Sequence, residues 1–428
     1  MIASVGTNKT WRCVGVLTLV LMRTPLLFGQ GGSAEPPQSV TIDDVLRLLE
    51  ERSPLTVAER ASVAVVAADL VTARTLPNPT ISYGGVHLVS GLSTGATTQH
   101  QVGLEQPLLM FHQRQARLDA AGANVKAEGA RVAERQAARR LAVRQAFASL
   151  LARQEQLRVV QQSVTDLQQV QRLVTARSAA GDRSQYDVLR VDVETGALRI
   201  QSLNAATDVD DVSGQLATLV GVPGWSPRAV GTLDMGTAST DVEQLWLTAQ
   251  ERRPSLVTLR QQQAVARGGV ALARRERLPV PSLSGGTQQT QNVNGTSAFF
   301  GLSIPLLVFD HNQGAIARAT AQLEVSDLQI TAGLSEARAE VERAAAVLRQ
   351  RRETLTVFDT TVGDRIPTLQ RMAEDAYREG SADILELLDA NRSLHDLKAT
   401  RIQLLEAVKL AEEQLISAAG LDASGPHP

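Results

Sequence analysis

The chain has 428 residues, 43% of them apolar but only 3% aromatic, and a formal charge of −2. That balance offers no basic field for nucleic acid, and so few aromatics suit long helices with thin seams better than one bulky globular core. Cys13 is the only cysteine, and it lies in a segment expected to be removed, so disulfides and thiolate metal sites are excluded from the mature product.

Residues 1–34 read as a secretory signal. Lys9 and Arg12 precede an apolar run over 13–22, "TPLLF" follows Arg23, and Gly32, Ser33 and Ala34 supply small residues at a cleavage spacing. A spanning helix is the alternative, but the run falls short of the roughly 20 apolar residues that one needs. Cys13 follows Arg12 with no small residue before it, unlike a lipid-attachment cysteine. Cleavage after Ala34 removes Lys9, Arg12 and Arg23 and no acid, which moves the charge from −2 to −5. The product is expected to be exported.

The mature chain is written twice. Residues 41–221 recur close to 200 positions later as 241–420. Glu51, Arg52 and Pro54 return as Glu251, Arg252 and Pro254, and "LPNPTIS" from Leu76 returns as "LPVPSLS" from Leu278. "GLEQPLLMF" from Gly103 returns as "GLSIPLLVF" from Gly301, and "GDRSQYDVL" from Gly181 as "GSADILELL" from Gly380. So long a period is no short solenoid repeat. It divides the chain into a signal (1–34), a first repeat (35–232) and a second (233–428), the two repeats together forming one integrated domain.

Within each repeat a β-hairpin comes first. Residues 80–89 and 99–106 lean towards alternation, with Ile81, Tyr83, Val102 and Leu104 apolar; in the second copy Ala298, Phe300, Leu302 and Ile304 alternate after an Asn294–Gly295 turn. The strand "SLSGGTQQTQ" is too polar to bury both faces, as in a barrel wall with lipid on one side and water on the other. Pro79 and Pro281 stand at strand entry, where a missing amide does least harm.

Long helices follow. Between Pro107 and Pro223 there is no proline, so residues 108–177 form one helix of up to roughly 100 Å. Apolar residues recur in it at threes and fours among Arg and Gln, the pattern of a coiled-coil helix. The pattern breaks at Gly181, and "SQYD" reads as a capping box in which Ser184 and Asp187 satisfy the first turn of a second helix running to about Gly221. Gly380, Asp383 and Glu386 repeat the arrangement ahead of a helix to about Gly420. Each repeat thus holds a very long helical hairpin with a glycine at its tip. Pro367 has no counterpart at Leu167 or Gln168, so the second hairpin is expected to be the kinked, inner, moving one; a local kink without function is the alternative.

Four strands cannot close a barrel, and an open polar sheet leaves its edges unpaired. Three chains supply twelve. The fold class expected is therefore mainly α with a small β part: duplicated helical hairpins forming an α-barrel, and two β-hairpins per chain forming a trimeric, twelve-stranded transmembrane β-barrel.

The order of signal, short helix, "PNP", β-hairpin, "GLxxPL", long helix and glycine tip with "DVL", repeated once, resembles the TolC family of outer-membrane efflux and secretion channels. "LSIPLLVFDHNQGAIARA" from Leu302 is its most specific stretch. That stretch, with "ARRERLPVPSLSGG" from Ala273, looks closest to the branch serving resistance-nodulation-division (RND) pumps, including heavy-metal exporters. The resemblance implies a homotrimer in the outer membrane of a Gram-negative-type cell, embedded in its lipid and carrying a long periplasmic extension. It also implies a periplasmic membrane-fusion adaptor and an inner-membrane pump of RND type as partners, and an entrance closed at the hairpin tips. No cofactor is implied.

The same resemblance places acidic residues of the entrance at Glu386 and Asp389, an aromatic of the closing network at Tyr377, and Asp187 at the equivalent place of the first repeat. The basic residue expected two positions after the second tip glycine is Ala382 here; Arg183 and Arg378 are nearby substitutes for an inter-hairpin lock. Adaptor docking falls by analogy on Gly181, Ser184, Val188, Leu189, Gly380, Leu387 and Leu388. Taken alone, Asp187 and Glu386 are first-turn carboxylates of the kind that stabilise any helix. Three copies meeting on an axis would change that, because converging carboxylates repel one another and attract cations.

No catalytic arrangement is evident. The six histidines show no paired ligand spacing, His311 in "FDHNQG" reads as a polar residue at a strand-to-helix junction, and no phosphate-binding glycine loop occurs. No metal site and no enzyme are expected. The rival reading is a periplasmic coiled-coil adaptor or scaffold, which leaves the duplication and the two separate β-hairpins unexplained.

Overall fold

A computed structural model describes residues 36–91, 98–179, 184–291 and 295–423. The expected signal over 1–34, the tip residues Gly181 and Arg183, and Asn294 of the turn lie outside the described residues. The chain divides into Met1–Pro37 and Gln38–Pro428, and the second unit holds every described strand and helix.

Each repeat opens on a short helix, α1 (Ile42–Arg52) and α5 (Val242–Arg252). Thr41 starts α1 with a full capping box: its hydroxyl accepts from the Asp44 amide at 3.3 Å and the Asp44 carboxylate accepts from the Thr41 amide at 3.1 Å. Asp241 caps α5 on the amides of Glu243 and Gln244. A proline in the first turn then begins α2 (Pro54–Arg74) and α6 (Pro254–Glu276), where its missing N–H has no partner to lose.

The strands are β2 (Thr80–His87), β3 (Thr98–Pro107), β5 (Ser282–Thr290) and β6 (Gly295–Ser303), and a two-residue parallel pair, β1 (Ser39–Val40) with β4 (Arg228–Ala229), ties the start of the unit to the inter-repeat linker. The two hairpins join side by side into one antiparallel sheet in the order β2-β3-β5-β6, with Gly103 opposite Gly286. Registry sorts the side chains. One face carries Ile81, Tyr83, Val102, Leu104, Leu283, Phe300 and Leu302, and the other carries Ser82, Gln99, Gln101, Glu105, Ser284 and Gln288. The sheet thus has one mainly apolar and one mainly polar face. Val86 and Phe299 are the large apolar residues on the polar face, and Phe299 is held there by glycines. Its ring lies over Gly286 and Gly103, and a Cβ on Gly286 would stand 2.8 Å from that ring and 2.1 Å from the Val102 carbonyl oxygen.

Each hairpin is built on one very long helix. α3 (Gln113–Ala179) has 67 residues, about 100 Å at 1.5 Å per residue, and returns through α4 (Gln185–Val220). In the second repeat α7 (Gln313–Thr361) stops early, a 3-10 turn over Gly363–Arg365 follows, and α8 (Ile366–Arg378) completes the descent before α9 (Ile384–Ala418) returns. The expected kink is thus a full break: Pro367 sits in the first turn of a new helix, with Val362 and Gly363 ending the old one. The capping box expected at "SQYD" is also simpler than expected. Ser184 accepts from the Tyr186 amide at 3.0 Å, and among the described residues Asp187 does not return a bond.

Both returning helices end on a left-handed glycine packed against the start of a proline turn. Gly221 has φ 83° and lies where a Cβ would stand 2.8 Å from Pro54; Gly420 has φ 69° and lies where a Cβ would stand 2.7 Å from the Arg253 amide. Those contacts fasten each helical hairpin to its own short helices. The apolar core is correspondingly split, and its three largest clusters lie one in each repeat, around Leu150, Leu216 and Trp225 and around Leu348, Val408 and Leu415, and one at the tips.

Laterally the elements keep one order. Beside the sheet, α3 packs on α2 and α6, and α6 on α7; farther away, α3 packs on α4 and α9, and α9 on α7. Strands and helices therefore follow one lateral order, a single wall with the first repeat along one side and the second along the other. No described helix is long and apolar enough to cross a membrane.

Candidate channel entrance

The end of the wall farthest from the sheet is made by the last turns of α3 and α8 and the first turns of α4 and α9. Its packing is apolar: Leu167 and Val174 of α3, Val191 of α4, Tyr377 of α8, and Ile384, Leu387 and Leu388 of α9 form one buried cluster, with Val188 against its edge. Gly380, at φ 77°, turns the chain between α8 and α9, and the Ser381 amide closes on the Ala376 carbonyl at 2.9 Å.

This packing separates the expected site residues into two sets. Tyr377, Leu387 and Leu388 are 1%, 2% and 6% exposed, so the two leucines hold the hairpins together and do not face outward as a docking surface; Leu385 is the exposed member of that turn. Glu386, Asp389, Ser184 and Leu189 are exposed, and Asp187 is half-buried. Glu386 and Asp389 are three apart on α9 and share a face. The Glu386 amide donates to the Asp383 carboxylate at 2.8 Å, so Asp383 is the cap and the Glu386 carboxylate is left to point outward. Glu386 also rims a groove of about 390 Å³ between α8 and α9 with Leu369 and Met372 on its wall.

Of the two expected inter-hairpin links, Arg183 lies outside the described residues and the Arg378 side chain does not cross to the first hairpin; Arg177 does. From the last turn of α3 its Nη2 donates to the Arg378 carbonyl at 2.9 Å and its Nη1 to the Tyr377 carbonyl at 3.4 Å. Its guanidinium stands 5.6 Å from the centre of the Tyr377 ring. One side chain of the first hairpin thus caps the C-terminal carbonyls of α8 in the second. The Arg378 side chain turns away to Asp375 at 3.1 Å. The signal in the sequence is faint: a basic residue one turn before the first tip glycine, as Tyr377 is about one turn before the second.

Farther up, Arg392 of α9 reaches Glu194 of α4 at 2.8 Å, and Arg401 of α9 reaches Asp359, just above the helix break, at 2.8 Å. The hydrogen bond and charge of Glu194 hold the Arg392 pKa above its ordinary value, and those of Asp359 do the same for Arg401. His395 is buried where α3, α4 and α9 meet, between Ser163 and Gln201. None of these links is legible as a motif.

The outward face of α4 carries an exposed apolar stripe. Tyr186, Leu189, Val193, Ile200 and Leu203 fall on the a and d positions of a heptad and are 57–70% exposed. A family model described as "Outer membrane efflux protein" matches residues 45–222 and 246–421, both repeats in turn. The chain belongs to the outer membrane efflux protein family. This efflux protein is 24% identical to the cobalt-zinc-cadmium resistance protein CzcC of Cupriavidus metallidurans over 76% of its own length and 77% of that protein's. Its fold is that of the outer membrane protein VceC of Vibrio cholerae, with TM-score 0.69, 16% identity and coverage of 89% of this chain and 96% of that one. It is also that of the Neisseria gonorrhoeae outer membrane channel MtrE in its open state, with TM-score 0.67, 16% identity and coverage of 89% and 88%. The efflux protein is accordingly an outer-membrane exit duct, of a family whose members form trimers and work with adaptors and inner-membrane pumps. The adaptor reading finds no support in this family.

Proposed function

We propose that three copies close into one tube, with twelve strands in the outer membrane and helices below, and that the tube conducts cargo passively from an RND-type pump and a membrane-fusion adaptor. The observation that carries this is the pair of open edges. Among the described residues β2 and β6 each pair on one side only, and a lipid-embedded sheet cannot leave such edges unpaired. Pairing β6 of one copy with β2 of the next closes the sheet. The same contact brings α4 of one copy beside α7 and α8 of another.

Heights support that seam. Leu203 is 22 residues beyond Gly181 and Val357 is 23 residues before Gly380, so both stand roughly 33–35 Å above the tips at 1.5 Å per residue. Val193 and Leu369 are 12 and 11 residues from the same glycines. The upper part of the α4 stripe, from Val193 to Leu203, thus meets Val357 and Leu369, themselves exposed, on the neighbouring copy. Below it Leu189, Val188 and Ser184 are left at the tip for the adaptor's own helices. Glu386 and Asp389, exposed on α9, line the entrance, where three copies concentrate six carboxylates and draw cations.

Passive conduction means that energy comes from the inner-membrane partner. Detergent extraction of outer membranes tests the assembly: heat-modifiable trimers that conduct in planar bilayers are expected, and a soluble periplasmic monomer would refute it.

A further inference from the structure

Between the hairpins, above the tip cluster, lies a cavity of about 280 Å³ reached by α3, α4, α8 and α9. His395 of α9 projects into this junction and is 6% exposed. Both ring nitrogens are engaged by the first hairpin. Ser163 of α3 donates its hydroxyl proton to the Val159 carbonyl at 3.0 Å, so its oxygen accepts from Nδ1–H of His395 at 3.2 Å. Gln201 of α4 donates an amide N–H to Nε2 at 3.0 Å. That pattern fits one species, the neutral imidazole protonated on Nδ1. A second proton on Nε2 would face the Gln201 amide group donor to donor.

We propose that His395 is a pH-sensitive pin, which joins the second hairpin to the first while neutral and releases it on protonation. The proposal rests on the reading of the tips as an entrance whose hairpins must part. The charged groups around the ring do not offset the clash. On α9 itself stand Arg392, Asp396 and Lys398, on α3 Asp166, and on α4 Glu194. Asp166 accepts from Gln162 and Glu194 is taken by Arg392, while Lys398 donates to Gln370 of α8. Burial, the largest influence, pushes the His395 pKa below its ordinary value; Asp396 pulls the other way and Lys398 adds to the burial effect.

The sign follows from linkage. A closed-state pKa below the open-state one gives closure that is fully present above the ordinary histidine value of about 6.5 and is lost as pH falls through it. The ceiling is about tenfold in the open-to-closed ratio per pH unit for each histidine.

The test is hydrogen–deuterium exchange of residues 384–398 in the full-length protein, corrected for intrinsic rates, at pH 7.5 and 5.5. The wild type should show a severalfold rise in opening at the lower pH and H395Q none, while Q201E, which offers Nε2 a carboxylate, should reverse the direction. Equal pH responses in wild type and H395Q, or no response in the wild type, would overturn the proposal. Bilayer conductance of the same samples is a separate readout: a chain that never conducts refutes the channel reading, and the exchange comparison still decides the pin.

Discussion

Replacing Arg177 with alanine removes a side chain that hydrogen-bonds the end of α3 to the end of α8. The 2.9 Å bond to the Arg378 carbonyl is a charged hydrogen bond of about 1.5–3 kcal/mol. The 3.4 Å bond to Tyr377 is long and adds little. The contact with the Tyr377 ring, at 5.6 Å on a half-exposed cation, adds about 0.5–1 kcal/mol. Part of the first contribution returns when water solvates the freed carbonyls, which leaves a net of about 2 kcal/mol per copy, or roughly 30-fold in a two-state opening. R177A is therefore expected to raise the open fraction of single channels in planar bilayers by roughly 30-fold or more, with trimers intact on heat-modifiability gels. R177K keeps the charge and loses the fork that spans two carbonyls, so its effect should fall between. An R177A channel with wild-type opening would refute the assignment of the lock.

Neutralising the entrance with E386Q and D389N together should lower cation preference and weaken block by divalent cations in bilayers; unchanged conductance and block would remove both residues from the aperture. Gly286→Ala drives a Cβ to 2.1 Å from the Val102 carbonyl oxygen and into Phe299, a clash of typically 1–3 kcal/mol or more. It should abolish heat-modifiable trimers while circular dichroism retains the helices, and normal trimers would show that the sheet register differs. P367A should change thermal stability by less than about 0.5 kcal/mol and leave gating unaltered, because a first-turn proline gives up no helix hydrogen bond; altered gating would restore the proline itself as the moving part.

What the sequence made legible was periodic or punctuated. The duplication, the proline-free run of α3, the glycines that end α4 and α9, and the alternation of β6 each depend on neighbours within a few residues or on a fixed offset. What it hid was lateral. Gln99 and Gln288 are bonded at 3.0 Å across 189 positions, and no local pattern announces that the two hairpins share one sheet. Arg177 is obscure in sequence because its partners are carbonyl groups, which any sequence supplies. Leu387 and Leu388 read as docking residues by family analogy alone, which does not tell a surface leucine from a core one. Burial of both depends on Leu167 and Val174 arriving from the other repeat. The helix break is masked because Gly363 precedes Pro367 by one turn and ends α7 before the proline can kink it.

Disulfide trapping across the lateral seam tests the closed tube most directly. In a C13S background, L203C on α4 and V357C on α7 lie on opposite sides of the wall within one chain and at matching heights in adjacent copies. Mild oxidation of membranes carrying the double variant should give covalent dimers and trimers, with neither single variant giving trimers. Monomers alone after oxidation, with both thiols still reactive, would contradict a wall shared by three chains.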